Sequence, residues 1–154
     1  MNPALIRSLH ALSLTLTLTL TGAAGAAGTV VVADPYVRLA PPTAENTALF
    51  MVLHNNEAGE RKLVSAASPA AKKVELHTVV HEGDVMRMRP VSEIAIPSQG
   101  ETTLRPGGFH VMLLGLKAAL REGDAVAVTL GFDDGSTQEI KAPVRRIGGH
   151  GEAR

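Results

Sequence analysis

Two imidazoles and two thioethers stand in the pattern His77-x10-Met88-x21-His110-x-Met112. Thioether sulfur is soft and uncharged, and among biological metals it suits copper, above all Cu(I). The chain has no cysteine, so no thiolate competes for that role. If these four side chains converge, the chemistry is copper coordination without a thiolate. Thioethers need no deprotonation, whereas the imidazoles must be neutral. Binding should therefore weaken as pH falls through the histidine range. Cu(II), a harder ion, should bind more weakly.

The elements that must position these residues read as β throughout. Short β-branched runs alternate with Gly, Pro, Asn and Asp clusters, the pattern of a small β-sandwich or Greek-key barrel. Strands are expected over Thr29–Ala33, Tyr36–Leu39, Thr47–Leu53, Lys62–Ala67, Val74–Val80, Val85–Val91, Glu101–Leu104, Phe109–Leu114, Ala125–Phe132 and Thr137–Ile147. Asp34-Pro35 separates the first two. Lys117–Arg121 has the look of one helical turn. Pro143 suggests that the last strand lies at an edge.

Two of these elements carry the four candidate ligands. If Val74–Val80 and Val85–Val91 pair around a four-residue loop, His81–Asp84, paired positions sum to 165. His77 then faces Met88 directly, with Cβ atoms about 5 Å apart, and Met86 faces Val79. His110 and Met112 are two apart on one strand and point the same way, while Phe109, Val111 and Leu113 point to the core. A strand whose apolar face is already satisfied has no packing reason to carry His and Met on the other. Met86 shares a face with Met88 and is a candidate additional sulfur. His81 is a neighbour of the set. Met51, inside an apolar run, reads as core. His54 reads as solvated, and His150 lies in a small polar tail.

The remaining composition limits the function. Of 154 residues, 15 are Lys or Arg and 15 are Asp or Glu. No basic stripe is present, which argues against nucleic acid as a partner. Arg7, an apolar run from Ala11 to Leu20, and the small residues Gly22–Ala27 follow the order of a secretory signal. The expected organisation is a removed signal over 1–27, a β-domain over 28–147 and a short tail over 148–154. The mature chain would be exported and periplasmic, and would fold without disulfides. There is no nucleophile elbow, P-loop or H-E-x-x-H, and so no support for an enzyme or for a small-molecule substrate.

The four-residue pattern resembles that of the periplasmic copper chaperones of the PCuAC type. Val74-Glu75-Leu76-His77, Met86-Arg87-Met88-Arg89-Pro90-Val91 and Pro106 to Leu113 look like segments of that family. So do Tyr36-Val37-Arg38 and Gly115-Leu116-Lys117. The resemblance implies an all-β, cupredoxin-like fold that binds one Cu(I) through His77, Met88, His110 and Met112. It further implies delivery of copper for the CuA centre of cytochrome c oxidase, either to subunit II or beside a thioredoxin-like assembly factor; the carrier itself is expected to be a monomer. The tail offers only His150, so the second, Cu(II) site of many relatives is not expected. Two readings compete within metal binding, a general copper storage or tolerance protein and an electron-transfer cupredoxin. The latter needs a Cys thiolate. A metal-free interaction domain would share the strands but leave His110 and Met112 unexplained.

Overall fold

The computed structural model describes residues 30–147. The expected signal segment and tail lie outside them. Ten strands run in the order β1 (Val30–Arg38), β2 (Asn46–Asn55), β3 (Arg61–Ala67), β4 (Ala71–Glu82), β5 (Val85–Pro90), β6 (Ile94–Ile96), β7 (Gly100–Leu104), β8 (His110–Leu116), β9 (Ala125–Phe132) and β10 (Thr137–Arg145). The hydrogen-bonded path is β5-β4-β8-β2-β1-β10-β9-β3-β6, with β7 also paired to β2. The sheet folds over so that β3 meets β4 and β6 meets β7. The all-β expectation holds.

The core follows from strand alternation. Val126, Val128, Leu130 and Phe132 of β9 are buried together, and they pack with Leu49, Met51 and Leu53 of β2 and with Val111 and Leu113 of β8. Met51 is thus core, as its run suggests. His54 lies within β2, where its Nδ1 sits 3.2 Å from Glu101 Oε2 of β7.

Four local expectations are corrected. The first two runs are one strand, because a bulge between Ala33 and Tyr36 absorbs Pro35, which has no N–H to give the ladder. Asp34 takes the left-handed conformation there, φ 44°, which Asp tolerates better than most residues. Ile94–Ile96, not expected as a strand, pairs with β3 and fills the core. Lys117–Arg121 forms no helix: its first N–H is given to the Ala70 carbonyl at 3.0 Å, and five residues are too few to nucleate a helix alone. Strand β10 is interior, lying between β1 and β9. Pro143 is accommodated because it stands where β10 leaves β9 and joins β1 through Val144 and Arg145.

The hairpin that carries Met88 is also built differently. Its connection is two residues, Gly83-Asp84, so that Glu82 pairs with Val85, His81 with Met86, Val79 with Met88 and His77 with Pro90. Gly83 has φ +65°. A two-residue turn with a positive φ at its first central position matches the right-handed twist of the flanking strands. Arg87 and Arg89 both reach Glu82, at 3.0 and 2.7 Å, on the hairpin face opposite the methionines. Space is open around Gly83, so Gly83→Ala acts through backbone strain alone. It should cost about 1–2 kcal/mol, read as a shift in denaturation midpoint. An unchanged midpoint would mean that this turn does not hold the hairpin.

Candidate metal centre

Strands β5, β4, β8 and β2 place the four expected ligands on one face of the sheet. His77 of β4 pairs directly with His110 of β8, and Glu75 pairs with Met112. Across β2, Ala48 pairs with Met112. The imidazole centroids of His77 and His110 are 5.7 Å apart, with ring planes at 53°. Phe50 of β2 lies 6.3 Å beyond His110, and Tyr36 of β1 lies 5.4 Å beyond Phe50. The two histidines therefore end a transverse row of rings.

Met88 reaches this row from β5. His77 does not face Met88 directly, contrary to the expected register, because the tighter turn moves each pair by two residues. A shift of two keeps side-chain parity, so Met88 stays on the His77 face, one pair along. Met88 lines a small cavity with His110, Phe50, Val79, Ala48, Arg38 and Gly107. It also lines an adjoining one with Met112 and Ala48. Met88 is 62% exposed and His110 only 2%. The arrangement is thus a buried imidazole beneath an accessible thioether.

The hydrogen bonds set the tautomers. His110 Nδ1 lies 3.0 Å from the Gly108 carbonyl, and His77 Nε2 lies 2.9 Å from Glu75 Oε2. A carbonyl and a carboxylate can only accept, so these two nitrogens carry the protons. The Glu75 carboxyl is held below its usual range by its hydrogen bond to Lys73 first and to His77 second, so it accepts as an anion. The other nitrogens, His77 Nδ1 and His110 Nε2, are buried and have no hydrogen-bond partner. Each presents a bare lone pair. A buried polar atom left unpaired costs about 1–3 kcal/mol. Two adjacent orphans of this kind are the donor pattern of metal-ligating histidines, which give their second N–H to a carboxylate or carbonyl.

Glu75 and Gly108 are the residues that the ligand pattern does not disclose. Glu75 was open to inference from period two, since it lies two residues before His77 on the same strand face. The Gly108 contact arises from the loop entering β8 and has no such signal. Glu75→Ala should leave the fold intact and lower metal affinity roughly 10–100-fold. A competitive titration that gives the wild-type value would remove Glu75 from the site. Among the described residues no three His, Cys, Asp or Glu side chains group as ligands. Met86 pairs with His81 nearer the hairpin turn and lines neither cavity.

Burial lowers the pKa of His110, outweighing the Gly108 hydrogen bond, which raises it; His77 lowers it further. In the unfolded chain the ring takes its proton near about pH 6.5, and in the fold only at lower pH. The unfolded state binds more protons in that window. Stability is therefore full above about pH 6.5 and declines as pH falls towards the folded value. The apo protein's denaturation midpoint should drop across that window, and His110→Gln should flatten the slope. An equal slope in the variant would show that another group is responsible.

Comparison with known proteins identifies the family and the fold. The LpqE-like family model matches residues 30–144. Protein Lxx21020 of Leifsonia xyli subsp. xyli is 40% identical over 107 residues, covering 69% of this chain and 64% of that protein. Protein RP573 of Rickettsia prowazekii is 30% identical over 96 residues, covering 62% of this chain and 52% of that protein. The chain thus spans between about half and two thirds of the length of the curated relatives it matches. Among solved structures, the solution structure of CuI-DR1885 from Deinococcus radiodurans superposes with a TM-score of 0.63 at 37% identity, over 81% of this chain and 86% of that one. The copper-bound PCuAC domain from PmoF2 superposes with a TM-score of 0.67 at 23% identity, over 77% and 94%. The second likeness speaks to fold alone, and with it the expected all-β architecture of the PCuAC type is met.

Proposed function

The chain belongs to the LpqE-like family and has the PCuAC type of fold, and from that premise we propose that it is a copper chaperone. It takes one Cu(I) as cargo through His77 Nδ1, His110 Nε2 and the sulfurs of Met88 and Met112. The observation that carries this reading is the pair of bare, buried imidazole nitrogens beside two methionines that line adjoining cavities. The thioethers select a soft, monovalent ion. The Cu(I)-bound state of DR1885, 37% identical, supports the same cargo here.

The site suits a carrier. His77 and His110 are held by Glu75 and Gly108, so half the ligand set is in place before the metal arrives. Met88 is exposed and can leave first when an acceptor attacks. A thiolate-containing acceptor binds Cu(I) more tightly than thioethers do, so transfer by ligand exchange runs downhill. The recipient proposed is a copper site of cytochrome c oxidase assembly, the CuA centre of subunit II or a thioredoxin-like assembly factor, reached outside the cytoplasm after export. No catalysis is required of the chain.

Anaerobic titration against a Cu(I) chelator should give one tightly held ion per chain, and X-ray absorption should show both sulfur and nitrogen scatterers. A sulfur-free shell would refute the ligand set. No transfer from the loaded protein to a CuA-bearing domain would refute the recipient while leaving the carrier intact.

A further inference from the structure

The β4–β5 hairpin continues past the four ligands, and its outer end carries two more soft or borderline donors. His81 and Met86 are a direct cross-strand pair. By strand parity both share the face of His77 and Met88. We infer that His81 and Met86, with Met88 common to both, form an outer Cu(I) station from which the ion passes inward to His77, His110 and Met112. This inference rests on the copper-carrier reading and adds a route to it.

Packing gives Met86 no reason to be where it is. It is 64% exposed, and every residue of β5 is exposed. The two hairpin faces are also sorted by chemistry. One carries the Glu82, Arg87 and Arg89 ion pairs, while the other carries His81, Met86 and Met88. An exposed methionine contributes little to stability on an edge strand, where charged side chains normally guard against aggregation. Two of them beside a histidine make a soft-donor track.

Spacing separates the stations. Same-face rows lie about 7 Å apart along a strand. The His81–Met86 pair, the Val79–Met88 pair and the His77–His110 pair are successive rows. One ion cannot bridge the outer and inner rows, yet Met88 stands midway. Its thioether can stay on the copper while the bonds to His81 and Met86 break and those to His77 Nδ1 and His110 Nε2 form. The two imidazole lone pairs replace those of His81 and Met86, the Met112 sulfur adds a fourth donor, the copper remains Cu(I), and no electron is transferred.

The test uses the double variant His81→Ala, Met86→Leu against wild type, with a Cu(I)–chelator complex as donor. With Met88 engaged by the tight ion, wild type should bind a second, weaker Cu(I) through His81 and Met86 alone. The variant should lose only that weaker ion, keep the tight affinity, and exchange copper about tenfold more slowly, as loss of a tethered local site implies. Wild-type exchange kinetics in the variant would overturn the outer station and leave the carrier standing. A fall in the tight affinity would overturn it too, by making the pair part of the inner site. A wild-type protein without any Cu(I) affinity would sink the carrier reading itself. Circular dichroism of the hairpin-exposed variant should be unchanged, since neither side chain is buried.

Discussion

Replacing both Met88 and Met112 by leucine should lower Cu(I) affinity by about a hundredfold or more, beyond the roughly 10–100-fold typical of outer-sphere changes. Leucine keeps the volume and removes the donor. At Met88 the side chain is already 62% exposed, so the fold loses almost nothing. Met112 is half-buried against Ala48 on β2, where a Met-to-Leu exchange costs less than about 1.5 kcal/mol. Loss of copper in this variant therefore reports ligation and not unfolding. The two histidines remain, anchored as before, so residual binding should shift towards harder ions. Chelator competition, with an unfolding curve as control, gives the answer. Wild-type Cu(I) affinity in the double variant would mean that sulfur plays no part in holding the cargo.

Leu113→Ala should be the most destabilising single change near the site. Leu113 is fully buried on β8, on the face opposite His110 and Met112. Strand β8 lies between β4 and β2, so its core face anchors the strand that carries half of the proposed ligands. Truncating a buried leucine costs about 2–5 kcal/mol, a large part of the roughly 5–15 kcal/mol that holds a domain together. The denaturant midpoint should fall with the slope unchanged. Copper should recover part of the loss, since a ligand that binds only the folded state adds about 2.7 kcal/mol at a hundredfold excess over its Kd. A variant as stable as wild type would show that β8 is not anchored through this residue.

Much of the site was legible because strand periodicity is local. His110 and Met112 share a direction in any register, since residues two apart always do. Parity also protects the His77–Met88 relation: the pairing expected from a four-residue loop was wrong by two residues, yet both residues kept their face. The direct opposition was lost because loop length depends on the conformation that Gly83 adopts, and several conformations are open to glycine. The helical turn at Lys117–Arg121 failed for a related reason. A short segment takes its structure from the partner that its N–H finds, here the Ala70 carbonyl, which is distant in sequence.

By itself the sequence determined the β character of the chain, the alternation that separates core from site, and a soft donor set free of thiolate. Those properties reside in residue type and in a period of two, and neither needs a neighbour. Only the tertiary structure decided that β4 lies between β5 and β8, that His77 pairs with His110, and that Glu75 and Gly108 hold the ring protons so that Nδ1 of one and Nε2 of the other are left bare. Strand order is a long-range choice made by core packing, and a tautomer is chosen by whichever acceptor packing brings within reach. The four proposed donors could be named from the chain, but which of their atoms are left without a hydrogen-bond partner is a property of the fold.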